Sequence, residues 1–248
     1  MVVRGGYHQV LSKRYNSYIM DYSNINQIDI NILHSFNSSN NLLLDHLMQY
    51  STLGYTWIPL YFAIFFLVVK NNETMLQICI TVLGILFGVL LASGTDNLLV
   101  KPLVERLRPI NDPYIKYTLD ILKGVGEKDF SFFSAHAANT FAIATFICCL
   151  TRSLSLSIIM YIWAIINSIT RLYLGLHYPS DVCMGMLWGS LVGIISYKVY
   201  HYIYYKYSPK INYISSQYTS TGYSHEDIDV VISIFVMLLI LSLIISVI

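Results

Sequence analysis

Charge is scarce in this chain: Asp, Glu, Lys and Arg make up only 12% of 248 residues, against 55% apolar residues. A soluble domain carries about 25% charged residues, so this composition is expected of an integral membrane protein. Neither sign of charge dominates. The formal net charge of +1 leaves no broad basic surface, which argues against a nucleic-acid partner. Cysteine is thin as well. Cys79, Cys148, Cys149 and Cys183 fall in apolar segments without CxxC or Cys/His ligand spacing, and read as packing residues rather than disulfides or metal ligands. Residues 1–25 lack a continuous apolar run, so no signal peptide is visible. The first apolar helices are expected to direct targeting, with Met20 an alternative start.

Long apolar runs are abundant. Crossing a hydrocarbon core of about 30 Å takes about 20 helical residues, and candidate spans cover 55–70, 75–100, 134–151, 154–174, 180–204 and 229–248. These runs lack the alternation of a barrel, and backbone amides in lipid must be paired internally, so each is expected to be a helix. The expected fold is an all-α integral membrane bundle of about six transmembrane helices. Pro59, near the start of the first span, removes a donor that would be unpaired anyway. Within 39–53, Leu42, Leu43, Leu44, Leu47 and Met48 lie near helical spacing beside Asp45 and His46, which predicts an amphipathic helix at the interface. The chain then divides into a polar segment 1–38, this interfacial helix 39–53, a core 54–204, a Tyr- and Ser-rich loop 205–228 and a last span 229–248. The tyrosines of that loop suit an interfacial aromatic belt. Segment 101–132 is the longest charged stretch and reads as a solvated loop.

Polar residues gather in three clusters, each at the water-facing end of an apolar segment: KPLVERLRP at 101–109, FSAH at 133–136 and TRLYLGLHYPSD at 170–181. Counting helices puts all three on one side of the membrane. The positive-inside rule does not say which side, because some of the cations there would be functional. Lys101 and Arg108 are seven apart, so they share a face if the helix continues past 100, and Pro109 then ends it. Such a pair can grip phosphate oxygens, although alone it equally suits a snorkelling anchor, the reading given to Arg106. Ser134 is a natural N-cap, and the amides of Ser134, Ala135 and His136 would face an anion at a positive dipole end. Pro179 fits the first turn of a helix. That places Asp181 close enough to His177 to orient its imidazole as a nucleophile, although the spacing also suits an ordinary surface pair. Asp96 is read as marking where its helix reaches the interface, in preference to a partner for a site cation. A charged residue costs about 2.5–3.5 kcal/mol at the centre of a membrane helix and less toward its ends, so several at one level call for a shared anion.

In this order the clusters resemble the signature of the phosphatidic acid phosphatase type 2 superfamily, lipid phosphate phosphatases that share a site with vanadium haloperoxidases. Lys101, Arg108 and Pro109 match its first motif, Ser134 and His136 its second, and Arg171, His177 and Asp181 its third, over about residues 55–204. The resemblance implies that His177 attacks phosphorus to give a phosphohistidine, Asp181 orients it and His136 protonates the leaving oxygen. Lys101, Arg108, Ser134 and Arg171 would hold the phosphoryl oxygens, with no metal or other cofactor needed. Phe133 and Ala135 depart from the motif's Pro and Gly, and Thr170 from its Ser. Two strong spans precede the first motif where the family has three, and segment 39–53 stands in for the third.

The function expected is a membrane phosphatase removing the terminal phosphate of a lipid phosphate or a polyprenyl diphosphate such as undecaprenyl diphosphate. Its expected partners are that substrate and membrane lipids, in a bacterial inner membrane with the site facing the periplasm or exterior. The sequence carries no signal for oligomeric state. The other reading is a lipid-headgroup-binding or transport protein without phosphatase chemistry. It accounts for the cations but gives no reason for two histidines and an aspartate.

Overall fold

The computed structural model describes residues 27–37, 41–122, 125–208 and 216–247, and its regular structure is helical. Met20 and most of segment 1–38 lie outside the described residues. Helix α1 covers 27–37, and α2 covers Leu42–Thr52, capped by Asn41. Helix α3 is Ile58–Lys70, entered through a 3-10 turn at Gly54–Trp57. Helix α4, Met75–Thr95, starts at a capping box in which Thr74 and Gln77 exchange hydrogen bonds. A π-turn at Asp96–Val100 leads into α5, Lys101–Val104. Helix α6 is Ala135–Thr151, α7 is Leu154–Tyr173, α8 is Pro179–Tyr207 and α9 is His225–Val247.

This is an all-α integral membrane bundle. Helices α4, α7, α8 and α9 are each long and apolar enough to cross, while α2 and the 54–70 segment form a broken span bent by 72°. Helix α6 is shorter but sits at the centre, packed against α4, α7 and α8. Its contact with α8 is a seam of small residues. A Cβ at Gly189 would stand 2.2 Å from the Ala138 carbonyl oxygen, at Gly185 2.6 Å from that of Ser134 and at Gly193 2.7 Å from that of Ala142. Only glycine lets the two backbones approach this closely. Trp57 ties the α2–α3 joint by donating to the Ser51 carbonyl at 2.9 Å, and its ring meets Trp163 and Phe235 in the apolar core.

At the level of the fold the structure corrects three expectations. Segment 101–132 is more than a solvated loop: Ile115 and Leu119 are buried with Leu33 and Tyr178, and the Ile110 amide donates to the Gly175 carbonyl at 3.2 Å. Gly175 lies at φ +66°, a left-handed turn that favours glycine. Lys101 and Arg108 do not share a helical face, because the helix ends at Glu105, which lies at φ 49°. In the 205–228 loop Tyr223 is not part of a surface belt. It is 4% exposed and packs in the core beside Tyr200.

Candidate active site

The three clusters meet at one end of the bundle, where α5, α7 and the starts of α6 and α8 converge. Pro179 opens α8, and Asp181 in its first turn accepts the Tyr178 amide at 2.9 Å, a capping box that buries the carboxylate completely. Ser134 caps α6, so Ala135 is helical from the outset and needs no glycine conformation. The Ser134 amide donates to the Asp181 carbonyl at 3.1 Å, which locks the two helix starts together. That amide is therefore taken, contrary to the expectation that it would face an anion. Phe133 packs against the α6–α8 region with Ala138, Ala142 and Val192. The Thr170 hydroxyl turns away to Thr52 and the Asn167 carbonyl.

His177 follows α7, in a turn where the amides of Leu176 and His177 both donate to the Arg171 carbonyl, at 3.0 and 3.3 Å. The imidazole is 1% exposed. Its Nδ1 lies 2.8 Å from the Ser131 carbonyl, which can only accept, so Nδ1 carries the proton and Nε2 is left with its lone pair. That lone pair accepts from Arg108 Nη1 at 2.8 Å. Asp181 does not reach His177 directly: Oδ2 stands 3.8 Å from Nδ1, too far for a hydrogen bond. Ser131 lies between them, its hydroxyl donating to Asp181 Oδ2 and its carbonyl accepting from His177. Burial pushes the His177 imidazole below its ordinary pKa; Asp181 opposes this, and Arg108 adds to it.

The cations surround two carboxylates of the 125–131 segment. Lys101 Nζ meets Asp129 at 2.6 Å and Asp96 at 3.1 Å. Arg108, 1% exposed, pairs with Asp129 at 2.7 Å and Glu127 at 2.5 Å and also donates to the Leu176 carbonyl. Arg171 reaches Glu127 at 3.2 Å, and its buried Nε has no hydrogen-bond partner among the described residues. Burial raises the Asp129 pKa, but Lys101 and Arg108 outweigh that and hold it below the usual carboxylate value. Asp96 is fully buried and paired with Lys101, which corrects its reading as an interface marker. Arg106 is no snorkelling anchor: it binds Asp181, Asp29 and Ser180, with its guanidinium 3.8 Å from the centre of the Tyr178 ring.

His136, one residue into α6, is exposed and makes no ring hydrogen bond among the described residues. It lines an open cavity of about 420 Å³ together with Arg171, Glu127, Leu176, Thr52 and Gln49, beside the α2–α3 break. The sequence reading missed Asp29, Glu127, Asp129 and Ser131, which no motif marks. Arg106 stood inside a motif and was assigned elsewhere.

Fold and geometry together define a helical membrane protein with a cation-lined centre at one end of its bundle. The chain belongs to the PAP2 superfamily, whose family model matches residues 79–205. It is 37% identical over 178 residues to a lipid A 4'-phosphatase of Bacteroides thetaiotaomicron, covering 71% of this chain and 79% of that protein. A lipid A 4'-phosphatase of Porphyromonas gingivalis is 27% identical over 186 residues, covering 74% and 76%. Among solved structures, a PAP2-type phosphatidylglycerolphosphate phosphatase from Bacillus subtilis superposes with a TM-score of 0.52 at 24% identity, over 75% of this chain and 89% of that one. Aquifex aeolicus LpxE gives 0.50 at 24%, over 68% and 93%. At these identities the two structures speak for the fold.

Proposed function

We propose that this protein is a membrane lipid phosphatase that hydrolyses a phosphate monoester on a lipid headgroup through a phosphohistidine. Lipid A is the first substrate to test, because the 37%-identical relative is a lipid A 4'-phosphatase. The observation that carries the reading is His177, held in one tautomer with Nε2 turned into a group of cations. A phosphate-binding or transport protein has no use for an imidazole oriented in this way.

In the proposed reaction the phosphoryl group displaces Glu127 and Asp129 from Lys101, Arg108 and Arg171, and Ser134 at the start of α6 adds to the cradle. Arg108 turns from Nε2 to a phosphoryl oxygen, which frees the lone pair. Nε2 attacks phosphorus, the phosphorus–oxygen bond to the lipid breaks, and His136, protonated once the negative phosphoryl group stands beside it, gives its proton to the leaving oxygen. Neutral His136 then takes a proton from water as the water attacks the phosphohistidine, releasing inorganic phosphate and neutral His177. Asp181 steadies the imidazolium charge through Ser131. Preorganised cations supply most of the rate enhancement in such a transfer.

The test uses detergent-solubilised protein and a panel of lipid A, phosphatidylglycerophosphate, phosphatidate and undecaprenyl diphosphate. Wild type should release phosphate from at least one of them and acquire an acid-labile label from labelled substrate. His177→Ala should do neither, and phosphate release retained in that variant would overturn the mechanism.

A further inference from the structure

We propose that helix α1 is a working part of the active centre, in which Asp29, acting through Arg106, positions Asp181 and with it His177. The proposal rests on the phosphatase reading above. The Arg106 guanidinium bridges two buried carboxylates, with Nη2 at 2.7 Å from Asp29 Oδ2 and Nη1 at 2.5 Å from Asp181 Oδ1. Its flat face is held against the ring of Tyr178, whose amide donates to the other oxygen of Asp181. The rotamer of Asp181 is thus fixed from both oxygens, Oδ2 by the Tyr178 amide and the Ser131 hydroxyl and Oδ1 by Arg106, and the restraint on Oδ1 is anchored on α1. Asp29 also accepts the Ser180 amide at 3.0 Å, in the same helical turn as Asp181.

The attachment of α1 gives that anchor a rigid base. Leu33 is fully buried against Ile115, Leu119 and Tyr178. At the far end, Asn37 donates to the Tyr173 carbonyl at 2.8 Å and exchanges hydrogen bonds with the backbone of Asp120. Helix α1 therefore spans the turn that carries His177, tied to the end of α7 by Asn37 and to the start of α8 by Asp29. A planar, five-donor guanidinium can hold two carboxylates at fixed angles, which an ammonium cannot do. Asp29 and Arg106 touch no reacting atom in the proposed mechanism, so both are positioning residues.

The experiment is a kinetic cycle on the full chain in detergent, with wild type, Asp29→Asn, Arg106→Gln and the double variant. Each single change should lower kcat about tenfold or more with KM little changed, as losses of supporting partners around a reacting group commonly do. The double variant should be no worse than the poorer single, because both break one chain of contacts. Asp29→Glu should recover part of the loss. Arg106→Lys, which keeps the charge and guards against a variant that fails to fold, should lose kcat while binding vanadate like the wild type. Wild-type kcat in Asp29→Asn or Arg106→Lys, additive losses, or a change confined to KM would overturn the inference. His177→Ala runs alongside: if it stays active the phosphatase reading fails, and if it is dead while Asp29→Asn is fully active only the role of α1 falls.

Discussion

At His177 the Ser131 carbonyl and the Arg108 guanidinium take opposite sides of one imidazole. The consequence is kinetic. In the proposed mechanism only the neutral ring attacks phosphorus, and burial together with Arg108 holds its pKa below the ordinary 6.5 despite Asp181. A lowered pKa keeps the neutral form populated further into acid, so the acid limb of kcat/KM assigned to His177 should fall below pH 6.5. A limb above that value in the pH profile would contradict the assignment. The motif residues were legible because their chemistry is tied to fixed spacings. Ser131, Glu127 and Asp129 were not, since a short loop folding back onto cations leaves no periodicity in sequence. Arg106 was misassigned for a related reason: an arginine near a helix end suits an interfacial anchor equally well, and its two carboxylate partners lie 77 and 75 residues away.

Among the elements, the α6–α8 seam decides whether the second cluster meets the third. Gly189→Ala would drive a methyl group into the Ala138 backbone, which cannot step aside. Overpacking of this kind costs about 1–3 kcal/mol, so the thermal midpoint in detergent should fall and kcat with it. Gly94 is the control, because a methyl group added there would meet nothing within 4 Å. Gly94→Ala should be neutral or stabilising by up to about 1 kcal/mol through helix propensity. Equal midpoints for the two variants would mean that the seam does not hold the two clusters together. The long apolar helices were legible from composition and length, with ends within a few residues, whereas α1 lies in the segment read only as polar. What escaped was how they stop and bend. The π-turn at Asp96–Val100, the left-handed Glu105 and the 72° break before α3 answer to packing and buried ion pairs, not to hydrophobic periodicity.

For the whole molecule, the turn between α3 and α4 lies at the end of the bundle opposite the site, while the 112–120 segment lies at the site end. If the site faces the exterior, as proposed from the sequence, Tyr117→Cys in a background without native cysteines should react with a membrane-impermeant thiol reagent on intact cells. Glu73→Cys should react only after lysis, and the reverse pattern would turn the molecule over. Both positions are exposed. The ion pairs around the cradle also have a consequence on this scale. Lys101, Arg108 and Arg171 are matched by Asp96, Glu127 and Asp129, so the resting assembly carries no net formal charge. A phosphate monoester brings about −1.5 to −2 charges, close to what Glu127 and Asp129 would take away in the proposed exchange. Loading by that route would be nearly isocoulombic: one pair of negative charges would be exchanged for another at the edge of a low-dielectric slab, and the field across the surrounding membrane would barely change.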